Sequence, residues 1–304
     1  MSNFIDVLLN DATVDFDKAI DLCSDWEPTE KEYRDYPALN FHTLNDFRRD
    51  PRAWKEGLIG SPLESDSMRF GTALHAKILE GDDVYNNKVA TFKEPVNPKT
   101  GKPFGATTKA YEDAFFEFMR DNEDKTIIGE EDAKTIETLY ESYCFHNVAP
   151  SILGETGFRH TEMSVKGFIT IDDAKVEVKG RIDCYGANGL VDVKTTKELS
   201  DATGRDKFLR SIYEYKYIVQ LGFYHLLLTE CLDAPFVPAW IVAFERQKPN
   251  RIGVYRLTPE VVKGARETAL NWIRQYVEAR DSGIYESPFD SVTTIDRYDP
   301  SRDA

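Results

Sequence analysis

Two charged residues interrupt an apolar run near the middle of the chain, where residues 189–199 read GLVDVKTTKEL. Side chains alternate between the two faces of a β-strand, so Asp192 and Lys194 would share one face of this run. Asp183 lies nine residues before Asp192, across one tight turn, and neighbouring strands could bring the two carboxylates together. A bare salt bridge explains this pattern poorly, because desolvating two charges costs about what their attraction returns.

The residue types of this constellation predict metal-assisted chemistry. Two adjacent carboxylates repel each other unless a cation lies between them, and hard oxygen ligands favour Mg²⁺ or Mn²⁺. Lys194 could then orient an attacking water or stabilise the charge that develops on a phosphate. Asp183, Asp192 and Lys194 on paired strands therefore predict a site for phosphodiester hydrolysis. A structural alternative stays open, in which Asp183 caps a turn and Asp192 pairs with Lys194.

The strands that must position these residues can be recognised from their patterns. Residues 159–171 and 174–186 alternate as two strands joined by a tight turn. The run at 189–196 gives a third strand, and 238–246 and 251–257 give two more. Since helical patterns precede, separate and follow these strands, the sequence predicts an α/β fold with helices on the faces of a sheet.

Helices are predicted on both sides of the strands. Thr43 has the residue type of an N-cap for the first of these helices, which Pro51 would bend or interrupt. In the last helix Thr258 is the expected N-cap and Pro259 stands in the first turn. The remaining helical segments are expected at residues 65–82, about 108–121, 130–146 and about 206–230.

Charge is unevenly distributed along the 304 residues, whose net charge is −15. Residues 1–40 hold ten acidic and three basic residues, and we interpret them as an acidic N-terminal arm before a single domain at 41–285 and a tail at 286–304. The arm could be a DNA-mimicking lid, a docking segment for a partner, or solvated surface. Two stretches, 91–109 and 245–256, each carry four basic residues against one acid. They can bind phosphates or simply be solvated loops, and the first is predicted to be a mobile loop.

The composition argues against several classes of protein. A chain this acidic is not coated with basic surface for nucleic acid, and its apolar stretches are too short to span a bilayer. The N-terminus lacks the features of a signal peptide. Four cysteines occur without a CxxC pair, which predicts neither a disulfide framework nor a zinc site. We therefore expect a cytoplasmic protein without membrane contact.

The constellation resembles the signature of the PD-(D/E)XK nuclease superfamily, and further motifs are similar to those of the branch that contains RecE (exonuclease VIII) and the RecB nuclease domain. GTALHAKILE (71–80) resembles the first motif of that branch, whose histidine binds metal and corresponds to His75. The stretch 178–196 resembles the second and third motifs, in which Asp183 and Asp192 match the metal ligands and Lys194 matches the catalytic lysine.

Two other segments extend the resemblance over about residues 41–260. YKYIVQLGFYHLLL (215–228) resembles the Q-x-x-x-Y helix of the branch and matches it at Gln220 and Tyr224. Residues 41–54 are similar to the helix that opens many such domains. The resemblance implies a restriction-endonuclease-like core, with a central mixed sheet flanked by helices and an N-terminal helical elaboration.

The resemblance also implies roles for individual residues. His75, Asp183, Asp192 and the carbonyl of Val193 would hold Mg²⁺, for which Mn²⁺ can substitute. Lys194 and Gln220 would position the attacking water, and Tyr224 would contact the water or a phosphate. Glu162 could support the site from the first strand or form a surface salt bridge, and both alternatives stay open. Candidate DNA contacts are Arg69, Lys99, Lys102, Arg205 and Lys207.

The implied activity is that of a RecE-like DNA exonuclease. Such enzymes degrade one strand of linear duplex DNA from its 5′ end and leave a 3′ single strand for an annealing protein, and they form ring-shaped oligomers. An endonuclease or a single-strand-specific nuclease on the same core is the alternative, because end-specificity comes from loops and assembly. A non-catalytic DNA-binding module is a third possibility, which the complete set of ligands disfavours.

Two further expectations concern an iron–sulfur cluster and the packing of tyrosines on one helix. Relatives with an iron–sulfur cluster carry a Cys-Pro dipeptide in the opening helix, whereas this chain has Asp50 and Pro51 there and no cysteine after Cys231, so we expect no cluster. On the predicted helix at 206–230, Tyr213 and Tyr217 are expected to pack in the core, while Gln220 and Tyr224 face the site.

Overall fold

The computed structural model describes residues 19–60, 65–154, 157–201 and 203–290. Its centre is a five-stranded sheet in the order β3-β4-β5-β6-β7. The pair β5–β6 is parallel, while the other neighbours are antiparallel, so the sheet is mixed. A separate pair, β1 and β2, is parallel. The strands span Val89–Phe92 (β1), Thr126–Gly129 (β2), Arg159–Ile171 (β3), Ala174–Gly186 (β4), Gly189–Thr196 (β5), Ala239–Glu245 (β6) and Ile252–Leu257 (β7).

Helices surround the sheet on both faces. Those before the sheet are Glu30–Asp35 (α1), Phe41–Arg49 (α2), Pro51–Lys55 (α3), Asp66–His75 (α4), Asp82–Lys88 (α5), Lys109–Asp121 (α6), Glu130–Cys144 (α7) and Ala149–Ile152 (α8). Those that follow are Phe208–Glu214 (α9), Tyr217–Leu226 (α10) and Pro259–Ser282 (α11). A π-helical turn extends α4 over Ala76–Glu80, and another extends α10 over Leu227–Cys231.

The two faces of the sheet pack into two hydrophobic clusters. One contains Leu190 together with side chains from α10 and α11, and the other contains Val191 and Val193 together with side chains from α4 and α7. The predicted alternation of this strand is therefore confirmed: its valines point to one face, and Asp192 and Lys194 point to the other. In the described parts of the chain no helix is long and apolar enough to span a membrane.

Two expectations about helices need correction, and a third is confirmed. The opening helix begins at Phe41 and not at Thr43, because the Asn40 side chain accepts the Thr43 N–H over 2.9 Å and so acts as N-cap. The expected interruption at Pro51 is confirmed: the opening helix ends at Arg49, and Pro51 begins α3, for which Asp50 is the N-cap. The predicted helix at 206–230 is broken at Lys216, whose φ of 61° lies in the left-handed region and separates α9 from α10.

The acidic arm is only partly within the described residues. Its first eighteen residues lie outside them, as does the predicted C-terminal tail beyond residue 290. Residues 19–36 lie against β3 and β4, where Tyr185 donates its hydroxyl hydrogen to the carbonyl of Ile20 over 2.8 Å. Leu39 then forms a parallel bridge with Val178 on β4. This part of the arm is therefore an element of the fold.

Candidate active site

The site is built around a fork between two strands. Strand β4 pairs with β5 only from Cys184 to Gly186, and the two strands separate before Asp183 is reached. The Asp183 carboxylate fills the opening, where its Oδ2 accepts the backbone N–H of Val193 over 2.8 Å. This hydrogen bond therefore satisfies the backbone N–H of Val193, which β4 does not pair, and it fixes the position of the Asp183 carboxylate.

His75 enters the fork from the last residue of α4. Its Nε2 lies 3.0 Å from the carbonyl oxygen of Val193 and 4.0 Å from Oδ2 of Asp183. Its Nδ1 lies 3.4 Å from Oε1 of Glu162. One ligand atom each of His75, Glu162 and Asp183 lies within 4.8 Å of the others. Helix α4 and the two strands of one hairpin thus bring three donor groups to one point.

Glu162 is the residue that the sequence left open, and the structure places it in this group. It lies opposite Asp183 on β3, between the pairs Thr161–Cys184 and Met163–Ile182. Its φ of 50° is left-handed, which is unfavourable for a residue with a side chain. The hairpin turn could have revealed its position, because Glu162 and Asp183 each lie ten residues from the turn at 172–173.

Asp192 lies outside this group of three atoms and is completely buried. Its Oδ1 accepts a hydrogen bond from Nζ of Lys194 over 2.6 Å, so the structural alternative of an ion pair is real. Its Oδ2 is buried and has no hydrogen-bond partner among the described residues. A buried charged oxygen without a hydrogen-bond partner is costly, so Oδ2 of Asp192 is a candidate ligand atom for a cation.

The charges of the site shift the pKa values of its members. Burial raises the pKa of Asp192 to about 6; Lys194 opposes this rise and Asp183 adds to it. Burial lowers the pKa of Lys194, but Asp192 and Asp183 outweigh it and raise the value, so the ammonium stays charged. Burial likewise disfavours protonated His75, yet the carboxylates of Asp183 and Glu162 raise its pKa to about 9. The site thus carries an excess of negative charge that stabilises any cation within it.

The predicted pair on the following helix is buried beside the carboxylates. On α10, Gln220 donates a hydrogen bond from Nε2 to the hydroxyl of Tyr224 over 2.9 Å. Burial and the charges of Asp183 and Asp192 raise the pKa of Tyr224 well above its usual value. The helix therefore presents a neutral, hydrogen-bonded pair to the floor of the site.

The two other tyrosines predicted on this helix, Tyr213 and Tyr217, have different surroundings. Tyr217 packs against the core, as expected, and its ring centroid lies 5.0 Å from Nζ of Lys194. Tyr213 is 66% exposed, so its predicted burial is wrong. The break at Lys216 explains the difference, because it ends the regular helical stripe between the two tyrosines.

The five candidate DNA contacts lie on separate surface segments. Arg69 forms an ion pair with Asp66. Two more cations are paired in the segment between β5 and α9, namely Arg205 with Asp201 at 3.5 Å and Lys207 with Glu198 at 2.7 Å. Lys99 and Lys102 are exposed between β1 and α6. A role of these residues in DNA binding stays a prediction.

The donor set fits a divalent cation. It combines carboxylate oxygens of Glu162 and Asp183 with one imidazole, and it has the unpartnered Oδ2 of Asp192 and the carbonyl of Val193 nearby. Hard oxygen ligands with one nitrogen suit Mg²⁺ or Mn²⁺. The sequence predicted His75, Asp183, Asp192 and Val193 as one neighbourhood and left the role of Glu162 open, and the structure brings Glu162 into the same group.

A mixed sheet with a forked strand pair, a buried Asp-x-Lys and helices on both faces defines the PD-(D/E)XK class of fold. The model of the family described as "PDDEXK-like domain of unknown function (DUF3799)" matches residues 43–284. The chain belongs to this family, and the recognition of the superfamily and of its core fold is confirmed.

One solved structure shares this fold. A crystal structure of a "Putative exonuclease" from Eubacterium rectale is 12% identical, with a TM-score of 0.54 over 91% of this chain and 98% of that one. The structure of SSO0001 is 20% identical over 52% of this chain and 68% of its own, with a TM-score of 0.27. Curated proteins show no significant match to the chain.

Proposed function

We propose that this protein is a Mg²⁺-dependent exodeoxyribonuclease that hydrolyses phosphodiester bonds of linear double-stranded DNA. The observation that carries this proposal is the convergence of His75, Glu162 and Asp183 within 4.8 Å, beside the Asp192–Lys194 pair. A purely structural ion pair would not explain why Oδ2 of Asp192 is buried without a hydrogen-bond partner beside these three donor groups.

The ligands would be His75, Glu162, Asp183, Oδ2 of Asp192 and the carbonyl oxygen of Val193. When bound, a divalent cation supplies Lewis-acid polarisation of the phosphodiester and neutralises charge that develops on it. Because Nε2 of His75 lies 3.0 Å from the Val193 carbonyl, that nitrogen must give up its proton before it can act as a ligand. Before a cation binds, the carboxylate of Glu162, with Oε1 3.4 Å from Nδ1, helps to orient the imidazole of His75.

Lys194 contributes a permanent positive charge. Its ammonium is held by Oδ1 of Asp192 and by the face of Tyr217, and its raised pKa keeps it from acting as a base near neutral pH. It therefore orients the attacking water and stabilises the negative charge that develops on the phosphate. Gln220 and Tyr224 position this water or a phosphate oxygen from the adjacent helix.

End-specificity and polarity are the finer part of the proposal. We infer a RecE-like reaction that proceeds 5′→3′ and leaves a 3′ single strand for an annealing protein in recombination. Support comes from the order of the four motifs and from a fold shared with a protein described as an exonuclease. A ring of subunits would place acidic surface outside and basic side chains towards a central channel, which reconciles the net charge of −15 with DNA binding.

Digestion of linear and closed-circular duplexes that carry the same sequence tests the proposal. The linear duplex is labelled at its 5′ ends in one sample and at its 3′ ends in another. With Mg²⁺ we expect the 5′ label to be lost first, while the closed circle stays intact. Asp183→Asn should abolish digestion, whereas the matched change of an exposed aspartate on α6, Asp113→Asn, should not. Cleavage of the circle would replace the exonuclease assignment with an endonuclease. Full activity of Asp183→Asn would overturn the proposal.

A further inference from the structure

The face of the hairpin that carries the catalytic carboxylates continues into a row of polar and basic side chains. On β3 and β4, Glu162 lies opposite Asp183, Ser164 pairs with Arg181 and Lys166 pairs with Lys179. Alternate residues of a strand share a face and lie about 7 Å apart. Arg181 and Lys179 share a face of β4 and lie two and four residues from the metal ligand Asp183, within about 13 Å of it along the strand.

Residues 19–36, which we call the strap, cover this row. The strap holds six acidic and two basic residues, a net charge of −4. Glu30 forms an ion pair with Nη1 of Arg181. Asp21 lies 2.6 Å from Nε2 of His160 at the start of β3. The strap thus supplies two carboxylates to two basic side chains of the hairpin.

One end of the strap is fixed more firmly than the other. The buried ammonium of Lys179 donates to the backbone carbonyls of Tyr33, Arg34 and Tyr36, the last over 2.6 Å. Leu39, just beyond the strap, exchanges backbone hydrogen bonds with β4. These contacts anchor the C-terminal end of α1, where a cation also interacts favourably with the helix dipole. The segment before α1 is held mainly through side chains, by the Tyr185 hydroxyl on the carbonyl of Ile20, by Asp21 on His160 and by the packing of Ala19 and Leu22 on the core.

A cleft of about 600 Å³ separates this segment from the strands. Glu162 of the metal group lines the cleft, together with Arg181, Arg159 and Lys88 on the strand side and Glu30 on the strap side. The cleft therefore leads from the strap to the site of hydrolysis. Two of its cations are paired with carboxylates of the chain, Arg181 with Glu30 and Lys88 with Glu80, whereas Arg159 donates to backbone carbonyls.

Arg181 is prepared to bind a phosphate. Its Nε donates to Oγ of Ser164 over 3.1 Å, and its guanidinium carbon lies 4.3 Å from the ring centroid of Tyr33. The side chain is 22% exposed, and Nη1 faces the carboxylate of Glu30. The hydroxyl and the aromatic ring orient the guanidinium, and its outer edge contacts the Glu30 carboxylate, which a phosphate can replace. A guanidinium held in this way can bind phosphate oxygens.

We propose that Arg181 binds a backbone phosphate of the substrate strand on its way to the metal site, and that the strap is an autoinhibitory segment whose Glu30 occupies Arg181 until DNA displaces it. This inference rests on the proposed nuclease function for the identity of the substrate. Lys179 acts as the anchor about which the strap moves, and Arg181 as the contact that is exchanged.

DNA binding in EDTA tests the proposal without relying on cleavage. In full-length protein, Glu30→Gln should tighten the affinity for a labelled linear duplex by about three- to tenfold, because it removes the competing anion. Asp25→Asn makes the same charge change in the strap and, among the described contacts, touches none of the hairpin cations, so it should alter affinity less than about twofold. Equal effects of the two substitutions would overturn the autoinhibitory role of Glu30.

A charge exchange separates phosphate binding from a purely structural ion pair. The double variant Glu30→Arg with Arg181→Glu restores a pair of opposite charges and should keep the thermal midpoint near that of the wild type. It should nevertheless bind DNA more weakly than either the wild type or Glu30→Gln, and the slope of log affinity against log salt should fall by about one. Wild-type affinity in the exchanged variant would show that Arg181 only holds the strap.

Trp26 reports the position of the strap directly. Its ring lies 4.9 Å from Nζ of Lys166 and 5.2 Å from the ring of Tyr36. Addition of DNA in EDTA should change the tryptophan fluorescence of the wild type but not of Trp26→Phe. An unchanged signal while DNA binds would contradict displacement. The two proposals can fail separately. If Glu30→Gln tightens DNA binding while neither the wild type nor Glu30→Gln cleaves DNA with Mg²⁺, the nuclease proposal fails and the inference about the strap stands.

Discussion

Asp183 accepts a hydrogen bond from the backbone N–H of Val193, with 2.8 Å between Oδ2 and the nitrogen. One side chain thereby closes the fork between β4 and β5 and places a carboxylate beside His75. Structure and chemistry therefore depend on the same group, but they make different demands on it. The backbone bond needs only an acceptor oxygen, whereas metal binding needs the negative charge.

Asp183→Asn and Asp183→Ala should separate these two demands. The amide can still accept the Val193 N–H, so Asp183→Asn should alter the free energy of unfolding by less than about 1 kcal/mol, while Asp183→Ala leaves the donor unpaired and should cost about 1–3 kcal/mol. Both should reduce the rate of DNA cleavage by about a thousandfold or more. Chemical denaturation and single-turnover digestion measure the two quantities. Equal destabilisation by the two substitutions would contradict the division.

Glu162 stores backbone strain that its function explains. Glycine adopts a φ of 50° without penalty, so Glu162→Gly should stabilise the metal-free protein by about 1 kcal/mol. Glu162→Gln keeps the strained backbone and should gain no such stability. Both should weaken Mn²⁺ binding in calorimetric titrations, because both remove a carboxylate of the cluster. Tight Mn²⁺ binding by Glu162→Gln would remove Glu162 from the ligand set.

His75 should make the stability of the metal-free protein depend on pH. Its folded pKa of about 9 exceeds the ordinary value of 6.5, so the fold favours the protonated ring. This contribution is complete below pH 6.5 and is lost as the pH rises through 9; after allowance for partial solvent exposure it amounts to about 2 kcal/mol. Denaturation in EDTA should show the loss in the wild type and not in His75→Gln. The same slope in both proteins would contradict the assignment.

Glu245 should stabilise the loop that follows the catalytic strand. Its carboxylate accepts hydrogen bonds from the guanidinium of Arg251 at 2.7 Å and from the backbone N–H of Leu199 at 2.9 Å. The bond from Arg251, partly opposed by burial, lowers the pKa of Glu245 to about 2. The resulting stability is present above pH 4.5 and is lost as the pH falls through 2.

The substitution Glu245→Gln should therefore cost about 2–3 kcal/mol at neutral pH. The exposed pair of Glu198 with Lys207 is a matched control, and Glu198→Gln should cost far less because solvent screens the pair. Denaturant titrations at several pH values measure both. Similar losses for the two variants would indicate that burial does not strengthen the Glu245 pair.

Two glycines on packed helices should respond oppositely to the same substitution. A Cβ on Gly222 of α10 would lie 2.4 Å from the backbone carbon of Ala265 on α11, whereas a Cβ on Gly264 would meet nothing within 4 Å. Gly222→Ala should destabilise the protein by about 2 kcal/mol or more, and it should slow catalysis because α10 carries Gln220 and Tyr224. Gly264→Ala should stabilise it by up to about 1 kcal/mol. Thermal unfolding checks both signs.

Strand boundaries could be predicted to the residue where the alternation of side chains along the strand is strong. The alternation at 159–171 and 174–186 matches β3 and β4 at every boundary, because one tight turn fixes a long hairpin. The neighbourhood of His75, Asp183, Asp192 and Lys194 was predictable from motifs in order along the chain. In each case local patterns and short connections determine the arrangement.

Other features depend on contacts between distant segments. The break at Lys216 and the left-handed Glu162 are backbone choices that residue types disfavour, so no local signal announces them. The packing of the strap on β3 and β4 joins residues more than a hundred positions apart, for example Glu30 and Arg181. Its acidic composition is equally consistent with solvated surface, and only the fold distinguishes the two.

The most direct test of the account is the location of manganese in a crystal of the wild-type protein soaked with Mn²⁺. We predict an anomalous peak bounded by His75, Glu162, Asp183 and Oδ2 of Asp192, which disappears in Asp183→Asn. A well-ordered site without such a peak, or manganese bound only elsewhere, would contradict the claim that these side chains form a metal centre.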